Sequence, residues 1–241
     1  MLATITPMLL VRLLVPVIFL TPSEVVCLQR YYGVTTAADG VVVAGERIPY
    51  DDGKKKSADE KLEHPDVKDA FAPRYRTGAI APITSPDEDP GRARLDAVFR
   101  AAYPTKDLVR IDFLGHKVQV HKKAAAAFTR VAARLGKLVA ADKSLAPFVA
   151  RLGGTFNARN IAGTDRPSAH SYGIAIDLND ALSDYWRWSK GGAWRNRIPQ
   201  AIVDAFEAEG FIWGGRWYHF DTMHFEWRPE LLDGSCYPPA P

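Results

Sequence analysis

The stretch that most limits how this chain can fold runs from residue 108 to residue 140. Leu108–Phe113 and residues 117–121 alternate apolar and polar side chains on either side of Gly115, the pattern of a β-hairpin. In residues 122–140, Phe128, Val131, Leu135 and Leu138 fall 3, 4 and 3 apart, one face of an amphipathic helix. Residues 173–179 alternate again as a strand. Pro199 and Gly210 bracket a second helix whose Ile202, Val203 and Phe206 face inward, and residues 223–227 read as a further short strand. Hairpin, helix, strand, helix, strand is an α+β order, a small antiparallel sheet with helices packed on one face.

The 241 residues suit one domain with appendages. An apolar run at residues 8–20, broken by Arg12 and Pro16, reads as a signal peptide or membrane anchor spanning residues 1–26. It lacks a basic start and a clean small-residue cleavage site, and it is shorter than the ~20 residues of a membrane span. Residues 27–90 read as a linker or loosely folded lead-in. The run Asp51-Asp52-Gly53-Lys54-Lys55-Lys56 and six prolines from Pro49 to Pro90 break every periodic pattern, leaving one short strand at 41–44. The ordered domain is expected at residues 91–235 and to fold without the lead-in, with residues 236–241 a proline-rich tail. Two cysteines, Cys27 and Cys236, cannot supply a cysteine-based zinc site, and nothing in the sequence says whether they pair. The net charge of +3 is too small to imply nucleic-acid binding, although residues 91–241 carry 21 basic against 15 acidic residues and would suit an anionic partner such as a cell-wall polymer.

The chemistry concentrates in residues 168–177 and 221–226. Catalytic zinc takes three protein ligands from His and carboxylates and leaves a fourth position for water. His170, Asp177 and His224 supply two imidazoles and one carboxylate, and pairing of the two strands would bring His224 beside Asp177. Hydrolysis also needs a base that is not itself a ligand, and Asp221 lies three residues before His224. Arg159, downstream of Gly153-Gly154, is the candidate for holding a substrate carboxylate or a developing oxyanion. On spacing alone, other roles stay open. His170 could cap a turn, Asp177 could pair with a surface arginine, His224 could be a half-buried histidine, Asp221 could begin a loop, and Arg159 could be a surface arginine.

Ser-x-His-x-x-Gly-x-Ala-x-Asp (168–177), followed by Trp-Gly-Gly-x-Trp (213–217) and Asp-x-Met-His-Phe-Glu (221–226), resembles the M15 family of zinc peptidases. Within it the likeness is to the branch of D-alanyl-D-alanine carboxypeptidases and L-alanyl-D-glutamate endopeptidases, and it covers roughly residues 108–232. The resemblance implies a zinc site at the sheet, with the ion held by His170, Asp177 and His224. It implies Asp221 as general base, where other branches carry glutamate, and Arg159 as the substrate-orienting arginine. Ser168 becomes a binding or supporting residue, and Trp213, Gly214 and Gly215 resemble a loop beside the active site, with Trp213 on the substrate. Glu226 would orient a ligand, and His219 is left unassigned. The expected activity is zinc-dependent hydrolysis of peptidoglycan stem peptides outside the cytoplasm, at the terminal D-Ala-D-Ala bond. The alternatives are the L-Ala–D-Glu bond, or a non-catalytic zinc-containing module that binds cell wall.

Overall fold

The computed structural model describes residues 21–189 and 193–238. Helices α1 (Ser23–Tyr32), α2 (Ala58–Glu63), α3 (Val67–Phe71), α4 (Asp96–Ala102), α5 (Lys122–Ala141), α6 (Ala146–Val149) and α7 (Gln200–Glu207) surround three small antiparallel sheets. The first is a meander of β1 (Thr35–Ala37), β2 (Gly40–Val43) and β3 (Glu46–Pro49). The second is the hairpin β4 (Leu108–Phe113) and β5 (His116–His121). The third comprises β6 (Ala175–Asp177), β7 (Phe211–Trp213) and β8 (His224–Trp227), with β8 in the centre. The α+β class therefore holds, with the strands divided among three sheets.

Helix α5 follows the predicted stripe. Ala124, Ala127, Phe128, Val131 and Leu135 are buried, and the helix is capped by His121, whose Nδ1 accepts from the Lys123 amide at 3.2 Å. Phe128 meets Phe211 edge-on at 4.8 Å, and Phe206 of α7 stacks on Phe225 of β8 at 3.9 Å. Rings of this size, fully enclosed, are worth about 3–5 kcal/mol each on truncation. They clamp α5 and α7 against the sheet that carries His224. Gly173 sits at φ 66°, and a Cβ there would meet the His121 backbone nitrogen at 2.8 Å. The close approach permits a 2.8 Å bond from the His121 amide to the Gly173 carbonyl, which fastens the hairpin to the site strand.

Residues 27–90 are not a loose lead-in. They carry the meander, α2, α3 and most of α1, and Val25, Cys27, Leu28, Val41, Val67 and Phe71 join the same hydrophobic core as Val120, Phe128 and Phe225. Elements of three to six residues are too short to display a period, and the prolines fall between them or, as Pro49 does, at a strand end. The C-terminal segment likewise belongs to the core. Cys236 and Tyr237 are buried, and Cys236 forms a disulfide with Cys27 of α1. Of the expected leader or anchor, residues 1–20 lie outside the described residues, as do residues 239–241 of the tail. Among the described residues no helix is long and apolar enough to cross a membrane.

Candidate metal centre and its cleft

Three short-range decisions place the donor cluster. Ser168 caps a 3-10 turn, its hydroxyl accepting from the His170 amide at 3.4 Å, and Gly173 in the left-handed region ends that turn after Tyr172. The turn delivers His170. Antiparallel β6–β8 pairing sets Asp177 directly opposite His224, so both side chains share one face. Gly153 lets another segment run against the same strand. Its amide donates to the Asp177 carbonyl at 2.8 Å, and a Cβ at Gly153 would stand 2.9 Å from that of Asp177.

The result is a triangle of donor atoms. His170 Nε2 lies 3.2 Å from Asp177 Oδ1 and 3.2 Å from His224 Nδ1, and His224 Nδ1 lies 3.1 Å from Asp177 Oδ1. The opposite ring nitrogens fix the tautomers. His170 Nδ1 is 2.6 Å from the Thr155 carbonyl and His224 Nε2 is 3.1 Å from Glu226 Oε2, and both partners only accept. In the neutral rings, the form that binds a metal, those two nitrogens carry the protons, so His170 Nε2 and His224 Nδ1 present lone pairs on the side of Asp177. Glu226 is held in turn by Arg94 at 3.2 Å and Arg228 at 3.0 Å, all three side chains being buried.

Residues 162–227 match the family model described as D-alanyl-D-alanine carboxypeptidase. The match supports an M15-family peptidase.

His170, Asp177, Asp221 and His224 all lie inside the matched stretch, whereas Thr155, Arg94 and Arg159 lie outside it. The cluster opens into a cleft of about 300 Å³. Asp221, Arg159 and Ser168 line this cleft together with His170's partners Asp177 and His224. Arg159 is exposed and, among the described residues, pairs with no carboxylate. Ser168 is buried and serves the turn that carries His170. Trp213 does not reach the cleft. It is fully buried, its indole N–H donates to the Thr222 carbonyl at 2.9 Å, and its ring stacks near Phe225. As the last residue of β7 it faces the core, and the aromatic wall is made instead by Trp217, Tyr185, Trp186 and Trp188. Trp217 follows the two glycines, and its indole N–H donates to the Pro90 carbonyl at 2.7 Å. No spacing rule separates it from Trp213. The cleft also takes Leu62 and Glu63 from α2 and Arg92 and Arg94 from the chain before α4, contributions with no local signature in sequence.

The electrostatics fit a divalent metal. Three acceptor atoms this close repel one another unless a positive charge sits between them. Tetrahedral zinc with ~2.0–2.1 Å bonds to nitrogen and oxygen holds its ligand atoms about 3.3–3.4 Å apart, close to the triangle observed. The charge environment of each group expresses the same demand. Burial opposes charge on Asp177, yet His170 and His224 hold its carboxyl well below the usual range. Burial also opposes charge on His224, but Asp177 and Glu226 raise it to about 10. Asp221 moves the other way. Burial, reinforced by the Asp177 charge, pushes it up to about 6, and its Oδ1 is shut off from solvent without a hydrogen-bond partner among the described residues. A carboxylate left unpartnered in this way is costly as structure and apt as a proton acceptor.

Proposed function

We propose that this chain is a zinc-dependent peptidase that removes terminal D-alanine from peptidoglycan stem peptides. The observation that carries the reading is the convergence of His170, Asp177 and His224 beside the unpartnered carboxylate of Asp221. When bound by those three residues, zinc supplies a Lewis acid and lowers the pKa of water toward neutrality. Asp221 accepts the proton of the attacking water at its carboxylate and delivers it to the nitrogen of the departing D-alanine. A carboxyl whose pKa burial raises above its ordinary value is a stronger base than a free one, which suits it to that transfer. Arg159, facing the cleft without a carboxylate of its own, holds the free terminal carboxylate of the substrate by a planar two-pronged contact. Export is part of the proposal, since the Cys27–Cys236 disulfide suits an oxidising compartment and peptidoglycan lies outside the cytoplasm.

Digestion of purified muropeptides followed by mass spectrometry tests the reading. The expected product is a stem shortened by one alanine, formed by the protein as purified and not after chelation. Cleavage between L-Ala and D-Glu would move the assignment to the endopeptidase, and intact stems would leave a binding module.

A further inference from the structure

We infer that His219 is a substrate-binding residue of this cleft, its Nε2 accepting a hydrogen bond from a backbone amide of the bound peptide. The inference rests on the peptidase reading above. His219 lines the same cleft as Asp177, Asp221 and His224, but lies outside the donor triangle. Its ring is gripped at one end. Nδ1 lies 2.6 Å from Asp89 Oδ2, and the other Asp89 oxygen accepts the His219 backbone N–H at 3.0 Å. Trp186 packs edge-on against the ring at 4.7 Å and restrains it from swinging away.

Asp89 is itself buried and braced. Arg92 reaches Asp89 Oδ2 at 3.2 Å, while the Tyr218 amide bonds the Glu88 carbonyl at 2.8 Å and the Trp217 indole bonds the Pro90 carbonyl at 2.7 Å. A surface histidine needs no buried carboxylate to fix its rotamer and tautomer. Because a carboxylate only accepts, Nδ1 carries the proton and Nε2 of the neutral ring presents a lone pair. Nε2 has no partner among the described residues, and the ring is partly open to the cleft. The complementary group on a peptide is a backbone N–H. Such a bond sets the register of the stem against Asp221, two residues along.

Three single variants of the 241-residue chain and the Asp89→Asn/His219→Ala double variant test this, assayed on a free stem pentapeptide with zinc content measured on each preparation. His219→Ala is expected to keep zinc and lower kcat/KM about tenfold, the ~1.4 kcal/mol of one hydrogen bond. His219→Gln, whose amide oxygen still accepts, is expected to recover part of that loss. Asp89→Asn keeps the backbone contact but turns a donor toward Nδ1, forcing the proton onto Nε2. It is expected to cost at least as much as His219→Ala, and the ring tautomer is read directly by ¹⁵N NMR. In the double variant, Asp89→Asn should add little, because the ring through which it acts is gone. Wild-type kinetics in His219→Ala, or an Asp89→Asn loss that persists undiminished without His219, would overturn the assignment. A wild-type protein that cleaves no stem peptide overturns the peptidase reading and the His219 role with it, whereas a cleaving wild type matched by His219→Ala overturns the His219 role alone.

Discussion

Asp221 separates an enzyme from a metal-bearing binding module, since the donor triangle alone serves either. Asp221→Asn removes no atom of that triangle and is expected to keep zinc and fold while lowering turnover by roughly 10²–10⁴-fold, the usual worth of a general acid–base group. Loss of zinc in that variant would make Asp221 a ligand and reopen the role of Asp177. The wild-type rate should fall on the acid side, because the protonated carboxyl can no longer accept a proton, and burial moves that limb above the ordinary carboxylate range. A rate flat from pH 7 to 5 would place the base elsewhere. At this scale the sequence was readable wherever short motifs grouped the candidates that the structure brings together. His170, Asp177, Asp221 and His224 stand within two blocks, and the chemistry of zinc names the residue types. Trp213 was misplaced because an aromatic beside a motif does not reveal which face of its strand is buried. Asp89 was invisible because it meets His219 from 130 residues away.

The element that organises the site is the β6–β8 pair. It aligns Asp177 with His224 and Ala175 with Glu226, so Glu226 emerges on the same face two residues beyond the candidate ligand it bonds. Glu226 accepts from His224 and sits between Arg94 and Arg228, whose charges hold its carboxyl well below the usual range despite burial. Glu226→Gln is therefore expected to do two things. Zinc should bind 10–100-fold more weakly as the imidazole loses its anionic partner. Stability should drop by about 3–5 kcal/mol as buried arginines lose a counter-charge. Equilibrium zinc titration and denaturant midpoints read the two effects separately, and a variant unchanged in both would reduce Glu226 to packing. The strand at Asp177 was foreseeable from alternation, and helix α5 from its 3–4–3 stripe, whereas the pairing of β6 with β8 entered only as a condition because alternation does not name a strand's partner. The meander and α2 were not, because three- and four-residue strands never complete a recognisable period.

Across the whole molecule, residues 21–90 are structural. They supply the meander, part of the core, Asp89 behind the cleft, and Cys27, which ties α1 to the chain's end across 209 residues. Closing so long a loop removes about 5 kcal/mol of unfolded-state entropy in the simplest account. A fragment of residues 91–235 is accordingly expected to be insoluble or inactive, and reduction of the intact protein to lower its melting temperature without removing its metal. A soluble, fully active fragment would return the lead-in to the status of a linker. The most direct test of the account is one preparation of the full chain, measured for metal content and for hydrolysis of stem peptides before and after chelation and zinc add-back. The account predicts one zinc per chain and a shortened stem. It also predicts activity that vanishes with the metal and returns with it. Hydrolysis that survives complete removal of zinc, or a zinc-loaded protein that leaves every stem peptide intact, would contradict it.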